Sequence, residues 1–283
     1  MQKRAVYALF LHTDYTMNTT ASAKSDLARL IRHAKSPIIS VESAAAALSR
    51  PSSDAARRLS QLVRAGWLTR VRRGLYLAVP LEAEAGAFVT PEDPLLLAKA
   101  LYSPCYIAGW SAAEHWGMTE QIFRSTFVAS AASIRRKEER FLGAEYHLVR
   151  VAPDRLDGIG EIWRGRERVS MSSSERTLVD AARDPSWIGG IRHLAEVLTR
   201  YRTLAGSGTE KVAAELRTHG NGAAAKRLGY LAERTWPTAR ALIRLAIERR
   251  SEGVIKLDPD VRPRGRLNKR WGLWVNADIE ASE

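Results

Sequence analysis

Between Val41 and Val79 the apolar residues recur first at helical spacing and then at strand spacing. Val41, Ala44, Ala45 and Leu48 fall on one face of a short helix, as an i, i+3, i+4, i+7 pattern requires. Ser49-Arg50-Pro51 interrupts it. Ala55, Ala56, Leu59, Leu62 and Val63 then set out a second amphipathic helix, which Gly66 ends as a C-terminal glycine does. From Trp67 to Val79 two β-prone runs meet at Arg73-Gly74, the turn of a hairpin. Upstream, Ser25 to Ala34 is a further helical pattern with Leu27, Leu30 and Ile31 inward, and Ile38-Ile39 is a small strand suited to pair with the hairpin. Helices followed by a basic hairpin are the order of a winged helix-turn-helix.

The polar side of the second helix carries the candidate chemistry. With the apolar face inward, Ser53, Arg57, Gln61 and Arg64 form the opposite stripe and Arg58 flanks it. Arginine pairs with guanine O6 and N7 through two parallel bonds, and glutamine pairs with adenine in a similar way. Ser52 and Ser53 stand where helix-start hydroxyls cap the helix or bond a phosphate. Arg70, Arg72 and Arg73 lie on the hairpin, where a wing touches backbone or the minor groove. The competing reading is an ordinary exposed helix with solvated arginines. The helix pair, glycine stop and basic hairpin together favour a reader of double-stranded DNA.

Beyond the hairpin the pattern changes. Glu82 to Pro94, with weak periodicity, reads as a linker centred on 81–90. Leu95 to Tyr102 and Trp110 to Trp116 are helical, and Ile122 to Ala129, Tyr146 to Val151, Ile159 to Trp163 and Val169 to Met171 are strand-like. Ser172 and Glu175 have capping-box spacing ahead of an apolar run. Helices follow over Ile188 to Tyr201, Thr209 to Thr218, Ala223 to Thr235 and Thr238 to Arg250, and Gly272 to Asn276 closes the chain as a strand. The expected fold is α+β. A winged helix-turn-helix over 22–80 precedes a larger mixed domain over 91–283, with a small antiparallel sheet and several helices. Residues 1–21 are expected to be a flexible extension or, with Met17 as the true start, partly untranslated.

Charge sharpens this picture. The net charge is +13, from 44 Lys+Arg and 31 Asp+Glu. Residues 1–80 hold 13 basic and 4 acidic side chains, residues 81–220 hold 18 and 19, and residues 221–276 hold 13 and 5. The first excess coincides with the proposed reader, as phosphate binding with counterion release requires. The second has no motif behind it and is a candidate surface for DNA, RNA or an acidic protein. One cysteine, Cys105, allows no internal disulfide, which fits a reducing compartment. Scattered histidines argue against a zinc site. The apolar run Ala5 to Leu11 after Lys3-Arg4 is short for a secretory signal, and no run approaches a membrane span. A cytoplasmic location is expected.

Catalytic constellations are poor. Glu114-His115 has no second histidine four residues on, and its ordinary reading is a partly buried helix position. Gly158-Ile159-Gly160 lacks the third glycine of a dinucleotide site, and no nucleophile elbow surrounds Ser172 to Ser174. Arg176 and Asp180 are four apart, an ordinary surface ion pair. Asp154, Asp157, Glu161 and Glu167 would suit a metal nuclease, but Arg155, Arg164, Arg166 and Arg168 interleave with them as paired surface charge. Cys105 reads as a small apolar filler. No enzyme, cofactor or metal site is expected.

Three runs give the chain a family resemblance. Leu62-Val63-Arg64-Ala65-Gly66-Trp67-Leu68 with Arg73-Gly74-Leu75-Tyr76, Ser174-Glu175-Arg176-Thr177-Leu178-Val179-Asp180 followed by Gly189-Gly190, and Arg270-Trp271-Gly272-Leu273-Trp274-Val275-Asn276 resemble the AbiEi antitoxins of type IV toxin–antitoxin systems, linked to abortive infection. The resemblance spans roughly residues 25–276, and the stretch before it has no counterpart. It implies a transcriptional autorepressor that binds inverted repeats in its own promoter. It also implies a C-terminal domain that opposes a nucleotidyltransferase-like toxin, with no stable complex between the two proteins required. A one-component regulator with a C-terminal effector-sensing domain is the alternative.

Overall fold

The structure, a computed structural model, describes residues 22–33, 38–79, 93–141, 143–165, 167–262 and 264–279. The expected extension over 1–21 and the linker over 81–90 lie outside these residues. The chain divides into two compact units. One holds the described residues up to Ala100 with the strand-loop tips near Phe141 and Gly165, and the other holds the rest.

The first unit opens with helix α1 over 22–33, followed by β1 (Ile38–Ser40), α2 (Val41–Leu48), α3 (Ser52–Arg64), β2 (Leu68–Arg72) and β3 (Leu75–Ala78). α2 starts where it does because Ser40 and Ser43 cap it reciprocally: each side-chain oxygen accepts from the other's backbone N–H, at 3.0 and 2.9 Å. α3 ends at Arg64, and two residues on Gly66, with a φ of +78° that favours glycine, turns the chain away. The sheet runs β1-β3-β2, with Ile38 opposite Leu77 in antiparallel pairing. Gly74 (φ +83°) makes the hairpin turn, and its carbonyl accepts from Val41 N–H at 3.2 Å, tying the wing tip to the start of α2.

Leu27, Leu30, Ile39, Ala44, Leu48, Ala55, Leu59, Leu62, Leu68 and Tyr76 form the core of this unit. Each fully buried leucine contributes about 1.5–3 kcal/mol. Ile31, expected inward, is 48% exposed. Ala23, Leu27 and Leu30 define the buried face instead, at i, i+4, i+7, and Ile31 lies roughly a quarter-turn further round.

Helix α4 (Pro94–Tyr102) leads toward the second unit, which contains β4 (Cys105–Ile107), α5 (Gly109–His115), β5 (Ser125–Ser130), β6 (Glu138–Phe141), β7 (Ala144–Arg150), β8 (Gly160–Arg164) and β9 (Glu167–Met171). These strands form one sheet in the order β6-β7-β5-β4-β9-β8. β4 is antiparallel to β5 and parallel to β9, and β5 is parallel to β7. The α+β class holds, but this sheet is larger than expected and partly parallel. Its two central strands show why. β4 spans three residues, too few to display a period, and Tyr106 and Ile107 are both fully buried. Cys105 therefore begins a central strand rather than filling a turn between helices. β5 starts at Ser125, and Ile122, expected within it, is 87% exposed.

The rest is helical: α6 (Ser174–Arg183), α7 (Ile191–Thr203), α8 (Thr209–His219), α9 (Gly222–Thr235) and α10 (Arg240–Arg249). A three-stranded sheet of β10 (Ile255–Lys256), β11 (Arg266–Asn268) and β12 (Leu273–Val275) closes the unit, in the order β10-β12-β11. Leu178, Leu194, Leu198, Val212, Leu228, Leu231, Leu242 and Trp271 share one core. Ser173, not Ser172, caps α6 by accepting from Arg176 N–H at 3.0 Å. Ser172 is buried, with its hydroxyl 2.8 Å from that of Thr177.

Candidate nucleic-acid interface

α3 has one face locked into the core through Ala55, Leu59 and Leu62, which leaves Ser52, Ser53, Arg57, Gln61 and Arg64 exposed on the other. Pro51 is the N-cap and no side chain caps the helix. Ser52 and Ser53 therefore do not cap α3 as expected, and their hydroxyls have no partner among the described residues. The positive end of the helix dipole lies beside them. The Arg57 side chain is 73% exposed, 3.5 Å from the Asp54 carboxylate one turn earlier.

Arg58 is placed differently from the rest. Its Nε donates to Asp26 Oδ2 at 2.7 Å, its Nη1 to Gln61 Oε1 at 3.1 Å and its Nη2 to Ser22 Oγ at 3.2 Å. Its side chain is only 15% exposed, and Asp26 is buried on α1. On the hairpin, Arg70, Arg72 and Arg73 are exposed. Arg72 Nη2 donates to the Ala100 carbonyl at 3.1 Å, whereas Arg64, Arg70 and Arg73 have no side-chain partner among the described residues. All nine candidate contacts thus belong to the first unit, five on the open face of α3 and three on the hairpin, with Arg58 turned back into the protein.

A second constellation, in the other unit, was not legible as such. Arg176 and Asp180, expected as a surface pair, have side chains 2% and 0% exposed. Arg176 Nε donates to Asp180 Oδ1 at 3.0 Å and the Tyr106 hydroxyl to Asp180 Oδ2 at 2.9 Å. Arg155, from the turn after β7, also donates to Asp180 and, at 2.7 Å, to the His219 carbonyl. Glu215 Oε1 lies 3.6 Å from both Arg176 Nη1 and His219 Nε2. Asp180 thus bonds two guanidiniums in the protein interior, with Glu215 a second carboxylate beside Arg176. Burial and the neighbouring Asp180 push the Tyr106 hydroxyl well above its usual range. Burial raises Glu215 against the pull of Arg176, while burial, Arg176 and Arg155 lower His219. The available signal was that Thr177, Leu178, Val179, Ala181 and Ala182 surround Asp180, so no solvated face remains for it.

The other late motifs also hold structural positions. The Asn276 amide donates to the Asp258 and Val261 carbonyls at 2.7 and 2.9 Å and accepts from Asp258 N–H at 3.0 Å. Trp271 packs so closely on α9 that a Cβ at Gly229 would stand 2.1 Å from its ring. Within the basic 221–276 block, Lys226 and Arg227 are buried. Arg227 holds the carbonyls of Leu257, Ala182, Arg183 and Lys256 at 2.9–3.2 Å, so that block is partly internal scaffolding. Arg262, Arg264, Arg266 and Lys269 remain exposed. Glu114 and His115 are exposed rather than partly buried, with the His115 ring against Trp116. Glu196, Thr199, Arg200, Thr203 and Arg234 line a cleft of about 760 Å³ beside α7 and α9. Among the described residues no group of His, Cys, Asp and Glu is arranged to hold a metal, and no helix is long and apolar enough to cross a membrane.

No curated protein matches the chain. Among solved structures, the RV2827C protein from Mycobacterium tuberculosis is similar, with a TM-score of 0.55 at 18% identity, covering 83% of this chain and 85% of that one. At that identity the likeness is one of fold, and it extends over both units. The residue-level match is narrower and falls on the unit that carries α3 and the hairpin: over residues 26–79 this chain matches the family of transcriptional regulators described as AbiEi antitoxins.

Proposed function

We propose that this chain is a type IV antitoxin and autorepressor that binds promoter DNA through α3 and the hairpin. The observation that carries the reading is the pairing of faces on α3. Leu59 and Leu62 fix the helix in the core, while Arg57, Gln61 and Arg64, at i, i+4, i+7, face outward, and among the described residues the acidic partner of this stripe is Asp54, beside Arg57. Each good bidentate pair with a base edge is worth about 1–3 kcal/mol of discrimination. Ser52, Ser53, Arg70, Arg72 and Arg73 supply phosphate or minor-groove contacts. An inverted-repeat operator takes two such readers. The second unit counteracts a nucleotidyltransferase-like toxin, for which no stable complex is required, and the protein works in the cytoplasm by binding rather than catalysis.

Two measurements test this. Binding of the full chain to the duplex upstream of its own gene should be specific and weaken steeply with salt; equal affinity for random duplex at every salt concentration refutes the promoter reading. Co-expression with the neighbouring gene under a separate inducer should restore growth that the neighbour alone halts, and a harmless neighbour refutes the antitoxin reading. The cleft beside α7 and α9 favours one second reading, a one-component regulator. That reading predicts operator affinity that changes with a small metabolite.

A further inference from the structure

We infer that Arg58 is a positioning residue that sets the base preference of Gln61, through a relay that begins at Asp26 on α1. The inference rests on the DNA-binding reading above and gives Arg58 a different role from a phosphate contact. The geometry is a chain of directed bonds. Asp26, buried on α1, accepts from Arg58 Nε at 2.7 Å, and Ser22 on the same helix accepts from Nη2 at 3.2 Å. These two contacts fix the plane of the guanidinium. Its third bond, from Nη1, goes to Gln61 Oε1 at 3.1 Å.

A guanidinium only donates, so the Gln61 amide meets it with its oxygen, and its two N–H groups are left for whatever faces the helix. In a major groove such a donor can meet purine N7, guanine O6 or thymine O4, and glutamine pairs with N7 when its oxygen also takes adenine N6. The second lone pair of Oε1 remains open to an adenine N6 amino group. Without the relay the Gln61 amide turns about its terminal bond and meets donor and acceptor edges alike. The side chains that contact DNA at this position are therefore not the only ones that decide what is read there.

The test uses the full chain and a randomised duplex pool. Selection with the wild-type protein defines the preferred site. Competition with single-base variants of that site then measures discrimination at each pair for the wild type, Gln61→Ala, Asp26→Asn and the double variant Asp26→Leu/Arg58→Met. The double variant removes both charges together and so leaves no buried charge unpaired. The Gln61 position is the one where Gln61→Ala lowers discrimination, by about 5- to 150-fold, the equivalent of one bidentate contact. Asp26→Asn and the double variant should lower discrimination at that same pair and at no other, and should leave the salt slope unchanged. Replacing the purine there by its 7-deaza analogue should weaken the wild type and have little effect on the double variant.

Loss of affinity by the double variant that is equal on every sequence, with a salt slope reduced by about one, makes Arg58 a phosphate contact and overturns the relay alone. Unchanged discrimination in both relay variants overturns it as well. A wild-type protein that enriches no sequence overturns the DNA-reading proposal and the relay with it.

Discussion

Replacing Asp180 by Asn preserves the shape of the side chain and removes its charge. In the folded protein that charge sits at 0% exposure between two guanidiniums, with Arg176 Nε 3.0 Å away and Arg155 bonded to the same oxygen, while the Tyr106 hydroxyl occupies the other at 2.9 Å. Exposed ion pairs contribute little because water screens them. Here the Arg176 and Arg155 side chains are 2% and 12% exposed, so screening offers little relief. Breaking a buried pair by removing one partner costs about 3–5 kcal/mol. For a unit of this size each kcal/mol lowers the midpoint of thermal unfolding by roughly 2–4 °C, so a fall of about 6–20 °C is expected. Seven of the eight tryptophans, all but Trp67, belong to the second unit, and urea unfolding followed by tryptophan fluorescence reports that unit selectively. A loss below about 1 kcal/mol, the scale of an exposed pair, would refute the reasoning and show the cluster to be hydrated.

Further outcomes are expected elsewhere. Arg57→Ala should cost about 1–3 kcal/mol on the preferred duplex and relax specificity at one pair; an equal loss on random duplex in the same titration would show that Arg57 positions the helix without specifying sequence. Gly229→Ala should destabilise by about 1–3 kcal/mol through overpacking against Trp271, although helix propensity alone favours alanine by roughly 1 kcal/mol; a rise in the unfolding midpoint would contradict the close approach. Burial and two nearby arginines hold His219 below its ordinary value of 6.5. The unfolded chain therefore takes up that proton first, and stability present above about pH 6.5 is lost as pH falls through the range below it. His219→Gln should flatten this acid-side loss in a series of melts, and an unchanged slope would exclude His219 as its source. Glu215, raised by burial, acts in the opposite sense, with stability lost as pH rises above the ordinary carboxylate range.

Local pattern was enough for the first unit. Its helices and hairpin are contiguous, their apolar periods run uninterrupted, and Gly66 and Gly74 mark the stops where left-handed backbone is needed. The exposed stripe of α3 follows from the buried one, because the helical period fixes both at once. What the sequence could not carry is information that depends on a partner far along the chain. Arg58 and Arg57 are neighbours of the same type, and it is Asp26 and Ser22, 32 and 36 residues earlier, that hold one inward while the other stays exposed. Arg176 and Asp180 have the spacing of a surface pair, and it is β4 and the turn after β7, bringing Tyr106 and Arg155, that make it a buried one. The central strand Cys105–Ile107 is defined by β5 and β9 on either side rather than by any period of its own. The sequence by itself determined the helices, the wing and, Ile31 apart, the polarity of the first unit's faces, because those depend on neighbours within a turn or two. The tertiary structure alone decided which charges are buried and which strands are central, because burial and sheet pairing are properties of residues brought together from distant parts of the chain.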